Sequence, residues 1–341
     1  MSVTSQPKPA LGTPALSVSV DVAGPVLALG EIRTGLLPHS GPLPSDATAD
    51  LLTPGPGRPP RRWERPVAHV AAPHSFTGVD CWMPSAVGRR LRGVGTVSTE
   101  VRVTGGQVVQ AHTRTGLRVA GQKRRLPWSH YLAQPGTVET WGPVRAAELA
   151  EAFFAEPAAS GGVLDLGGPS VHRLNQIRGS ARLDRLQTYR PEQTRLRWVA
   201  VPETGTPSVV FTLRSRAVHT LLVRVPPEVM PQADELCLDI ALHDWLLSSL
   251  LGLIERAGIG RADRSAVVAT LAPAVDHLIH AWLPGARLGP VLAELRAEAD
   301  RVSGLSAQWA SAVSRVRDQI ALAAVEQAVR QRPRPSRVGE P

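Results

Sequence analysis

Two segments of the chain share the pattern Asp-x-x-x-His-x-Trp-Leu: Asp239, His243, Trp245 and Leu246, then Asp276, His280, Trp282 and Leu283. On a helix an i,i+4 spacing sets both polar side chains on one face. Two such helices face to face would gather two carboxylates and two imidazoles, a donor set suited to a metal ion such as zinc. Asp244 and His277 could extend it. The same pattern also serves folding. His243 continues along the helical wheel into Leu246, Leu250 and Leu253, and a half-buried His bonded to an Asp one turn earlier is a common structural pair. The Trp two positions on points about 200° away around the helix, outside that cluster. The structural reading is favoured; Asp239, His243, Asp276 and His280 stand as the metal candidates, and no cofactor is expected.

The remaining chemical motifs are incomplete. His243-Asp244 matches the paired ligands of an HD-type phosphohydrolase, but the nearest upstream candidate for the isolated His, His219, falls in a predicted strand. VLDLGGP (163–169) resembles a cofactor-binding turn, a strand ending in an acid and then glycines, with Asp184 about 20 residues on where a ribose-binding acid would stand. The GxGxxG spacing is missing, and Gly167-Gly168 are explained by a helix start. GRRLRGVGTV (88–97) lacks the GKS or GKT of a P-loop, and no GxSxG occurs. Cys81 follows Asp80, with His69 and His74 near in sequence, and an adjacent carboxylate disfavours a thiolate. Two cysteines, Cys81 and Cys237, cannot build a disulfide framework or a Cys-only zinc site, which fits a reducing cytoplasm.

Basic residues cluster at Arg58/Arg61/Arg62/Arg65, Arg89/Arg90/Arg92 and Lys123/Arg124/Arg125, flanked by Trp63, Trp82 and Trp128. Arginine beside aromatic rings can grip phosphates and stack on bases, which makes Arg61, Arg62, Arg124 and Arg125 the nucleic-acid candidates. No recognised nucleic-acid module accompanies them. The net charge of +9 also has a plainer origin: Lys8 and Lys123 are the only lysines, and with 30 Gly and 31 Pro this is the mixture a GC-rich coding bias produces. Nucleic acid is therefore the less favoured partner.

These residues must be positioned by elements, and their order is legible. The charge is uneven: residues 1–135 hold 15 basic and 7 acidic groups, residues 226–332 hold 10 and 13. Residues 1–14 are Pro- and Ser-rich and read as a disordered arm without the apolar stretch of a signal peptide. LSVSVDV (16–22) alternates like a strand, and 26–37 is a candidate to pair with it. Pro and Gly make 39–62 a long loop, with a short helical turn at Ser45–Leu52. Residues 65–142 are rich in Val and Thr with period two, and Gly105-Gly106 signals a hairpin. Residues 142–156 read as a helix, 163–178 as a short strand and then a helix, and 194–225 as three strands. From Pro226 onward the pattern is helical: 236–254, then 264–283 kinked or split at Pro273, then 291–302 and 306–331. Leu236–Ile254 is long enough to span a membrane, but Asp239, His243 and Asp244 make it a buried helix of a soluble protein. The predicted class is α+β: a disordered arm (1–14), a largely antiparallel β-rich domain (15–225), a helical bundle domain (226–331) and a disordered tail (332–341).

LGEIRTGLL (29–37), GVGTV (93–97), RLPWSHYLA (125–133), TRLRW (194–198), DIALHDWLL (239–247) and RDQIAL (317–322) together resemble a family of uncharacterised actinobacterial proteins of similar length. The resemblance implies a cytoplasmic protein encoded beside a variant P-loop protein and a methyltransferase-like protein, working in an assembly. It carries over no catalytic residue. The expected function is a non-enzymatic interaction or regulatory component whose partner is another protein, one that binds nucleotides; no membrane partner is expected. The alternatives are a metal- or nucleotide-dependent enzyme with its site at the central helices, and a weak nucleic-acid binder.

Overall fold

The computed structural model describes residues 25–53, 58–84, 91–142, 144–155, 162–187 and 189–331. The expected strand at 16–22, the arm at 1–14, the tail at 332–341, and Arg89 and Arg90 lie outside the described residues.

Strand β1 (Leu27–Leu36) is the centre of the sheet because neither of its edges is free. It pairs antiparallel with β6 (Val108–Val119), from Leu27↔Leu117 to Leu36↔Val108. On its other side it pairs antiparallel with β8 (Thr194–Pro202), from Ala28↔Ala200 to Thr34↔Thr194. The hairpin of β5 (Arg92–Thr104) and β6 turns at Gly105 and Gly106, with φ of 58° and 66°, left-handed conformations that glycine adopts without steric cost. The hairpin is paired from Thr104↔Val108 to Ser98↔Arg114 and then splays. Into the gap comes β7 (Thr137–Thr140), antiparallel to β5 and parallel to β6. A Cβ at Gly95 would stand 2.1 Å from the Thr137 carbonyl oxygen, so only glycine admits β7 this closely.

The outer edge of β5 carries β4 (Ser75–Trp82) and, end to end with it, β3 (His69–Ala71), which pairs with β2 (Arg61–Trp63). Beyond β8 lie β10 (Val218–Val225), parallel to it, and the edge strand β9 (Ser208–Leu213). The ten strands make one mixed sheet in which only the β6–β7 and β8–β10 pairings are parallel among the named strands. With the helices that follow, this is the α+β class expected.

Both faces of the sheet are covered. On one, α1 (Ser45–Leu52), α3 (Ala146–Phe154) and α4 (Gly167–Arg178) pack over residues such as Leu29, Val97, Val101, Val109 and Val199. On the other lies α5 (Ala233–Arg256), entered through a 3-10 turn at Met230–Gln232 that contains Pro231. Its first half packs Leu236, Cys237 and Ile240 on Ile32, Trp198, Leu221 and Val223. Its second half packs Leu246, Leu250 and Leu253 against α6 (Arg264–His277) and α8 (Leu305–Gln331). Helix α7 (Pro290–Ser303) adds Leu292, Leu295 and Ala299 to the first half's core. The apolar window of Met230–Arg256 is 83% buried, so its membrane-like hydropathy serves the core. In α6, Pro273 sits inside the helix, which runs on to His277; a 3-10 turn, Ile279–Ala281, follows.

Candidate functional site

Asp239 and His243 face each other on α5 as their spacing predicts. His243 Nδ1 donates to the Asp239 carbonyl oxygen at 2.7 Å and lies 3.3 Å from Oδ2. Its Nε2 accepts the Leu283 N–H at 3.2 Å, which places the ring proton on Nδ1. The Asp239 carboxylate accepts from the Gly285 N–H at 3.1 Å and from Arg296 Nε at 2.8 Å. Burial works to raise the Asp239 pKa, but the bonds from His243 and Arg296 outweigh it and hold the carboxyl below its ordinary value. Trp282 meets the His243 ring edge-on at 4.8 Å and stacks on Trp309 at 4.3 Å. The cluster thus ties α5 to the segment before α7, to α7 itself and to α8. The pocket beside it, bordered by Arg102, Leu283 and Arg287, holds about 40 Å³, room for a water and not for a substrate.

Asp276 and His280 do not repeat this arrangement. Both are exposed, and the helix ends at His277, between them, so they do not share a helical face. Among the described residues no group of three or more His, Cys, Asp or Glu side chains is placed to hold a metal ion.

The other motifs also resolve into ties of the fold. His219, on β10, does reach Asp244: Nδ1 stands 2.6 Å from Oδ2 and Nε2 3.0 Å from the Ser215 carbonyl. His243 points away toward Leu283, so the adjacent His and Asp do not converge on one centre. Burial pushes the Asp244 carboxyl up, and the bond from His219 opposes it. Asp165 Oδ1 accepts the N–H groups of Gly167 and Gly168, at 2.8 and 3.1 Å, and so opens α4. Asp184 receives the Ser40 N–H at 3.1 Å. Burial and then Asp80 push the Cys81 thiol up to about 11, which keeps it protonated near neutral pH.

Sequence patterns gave no sign of the buried ion clusters, whose members are brought together by strand pairing and by the packing of α5 on the sheet. Glu31, fully buried, is held by Arg33, Arg195 and Arg197 at 2.8, 2.9 and 3.2 Å. Glu100 takes Arg61 at 2.5 Å and Arg102 at 2.8 Å. Arg102 also grips Glu235 with two 2.6 Å bonds, and Arg114 meets Asp234 at 3.2 Å, which anchors the first turn of α5 to the sheet.

The proposed nucleic-acid arginines are separated and mostly engaged. Arg61 holds Glu100 and lies over Trp63, and Arg62 pairs with Asp46. Arg125 pairs with Asp80 at 3.1 Å and lies over Trp128, while Arg124 is exposed. Trp128 belongs to α2 (Trp128–Leu132), which leans on β4: a Cβ at Gly78 would touch its ring at 3.2 Å. Here the surface is open. Phe76 is 49% exposed, Trp128 41% and Trp82 38%. Arg92, paired with Asp80 at 2.8 Å, borders them. A groove of about 370 Å³ continues the surface over His74, Ser98 and Arg114 toward Met230. No protein-family model, curated protein or solved structure matches this chain.

Proposed function

We propose that the chain is a non-enzymatic interaction component that docks another protein on the surface formed by β4 and α2. The observation that carries this is the exposure of Phe76, Trp82 and Trp128 side by side with Arg92 and Arg125. Tryptophan, other aromatics and arginine are the residue types that dominate the centres of protein interfaces. Asp239 and His243, and His219 and Asp244, are by contrast bonded to one another inside the fold. The family resemblance makes a P-loop-type, nucleotide-binding protein of the cytoplasm the favoured partner.

Co-purification of the full chain from its native cell, followed by mass spectrometry, tests the reading. One stoichiometric protein is expected with the wild type and is expected to be lost from the Phe76→Ser/Trp128→Ser variant. Capture of nucleic acid in its place, through the same aromatic and arginine surface, would overturn the reading, as would capture that is unchanged in the variant.

A further inference from the structure

Remote from β4, a cleft of about 390 Å³ opens between the segment 190–194, Arg216 before β10, and the last turns of α5. Its floor is made by the small residues Ser248, Ser249 and Gly252. One wall is fixed, because Trp245 Nε1 donates to the Glu192 carbonyl at 3.0 Å. Two guanidiniums converge over the floor: a Cβ built at Gly252 would stand 3.4 Å from Arg256 Nη1 and 3.6 Å from Arg216 Nη2. Arg216 is steadied by Glu255 at 2.8 Å. Arg190 and Arg256 make no ion pair or hydrogen bond with any described residue. Ser249, one of the residues that line the cleft, is 4% exposed, and its Oγ is buried beneath the surface.

Three guanidiniums face two carboxylates, Glu192 and Glu255, so the cleft attracts an anion. We propose that it binds a small phosphorylated molecule, with the phosphoryl oxygens taken by Arg190 and Arg256. A phosphoryl group presents three acceptor oxygens and nearly two negative charges, which suits two free guanidiniums better than a carboxylate does. The cleft is larger than phosphate alone, within the range of roughly 300–1,000 Å³ that holds small organic ligands.

The test is calorimetric titration of inorganic phosphate into the full chain, with acetate at equal ionic strength as the comparison. Saturable one-site binding of phosphate in the millimolar range or tighter is expected. It should weaken roughly tenfold or more in Arg256→Ala, since one charge-assisted bond is worth at least that factor. It should be lost in Arg190→Ala/Arg256→Ala and unaffected by Arg301→Ala on distant α7. Because these arginines are exposed, the variants should melt with the wild type. Absence of saturable phosphate binding, acetate binding as tightly, or a double variant that binds as the wild type does would each overturn the proposal.

Discussion

Removing the His243 ring would leave the Leu283 N–H without its acceptor and take one donor from Asp239 in a buried place. His243→Ala is therefore expected to lower stability by about 1–3 kcal/mol, read from urea unfolding. His280→Ala, at an exposed position, should change it by less than about 0.5 kcal/mol. Asp239 also sets a pH dependence. Its carboxyl is held below the ordinary value in the fold, so its tie adds stability at pH above the unfolded value of about 4 and loses it as pH falls through the folded value. Asp239→Asn is expected to flatten that part of the acid limb of the stability profile. The Asp239–His243 pair was legible because an i,i+4 spacing is local. Arg296, which completes it from α7, was not, since nothing in the sequence marks which distant arginine will meet a buried carboxylate. The identical spacing at Asp276 and His280 misled for a simple reason: the helix stops before it closes the turn.

Strand β1 shows how pairing outruns local pattern. Its alternation was readable, but its neighbours, β6 and β8, come from distant parts of the chain. At Gly30 the indole of Trp198 lies where a side chain would go: a Cβ would stand 2.3 Å from Nε1. That ring is buried, and its N–H donates to His112 Nε2 at 3.2 Å. Gly30→Ala should cost about 1–3 kcal/mol through overpacking and shift the tryptophan fluorescence. The hairpin at Gly105-Gly106, the turn of helix at Ser45–Leu52 and the three strands of 194–225 were all legible from turn residues and period. Strand β2 was not: Arg61 and Arg62 fell in the stretch read as loop, and the three residues of β2 are extended because β3 pairs with them. Pro273 was read as a kink or split; it does not split the helix, for α6 continues through it to His277, where packing against α5 and α8 holds the last turn.

The order of strands first and helices last predicted the α+β class, but not that α5 would lie on the sheet. Residues 233–241 share a core with Ile32, Trp198 and Leu221, while the second half of the same helix shares one with α6 and α8. The sheet and the C-terminal helices should therefore unfold together, in one transition seen alike by far-UV circular dichroism and tryptophan fluorescence. Two separated transitions would mean that this shared core contributes little. The proposed docking function rests on a division between ties inside and contacts outside, and one comparison addresses it: capture of the proposed partner by Phe76→Ser/Trp128→Ser and by Asp239→Asn, each at a temperature where the variant is folded. The surface variant is expected to melt like the wild type and lose the partner; Asp239→Asn is expected to melt lower and keep it. A surface variant that still captures the partner, or an Asp239→Asn chain that is folded and does not, would contradict the assignment.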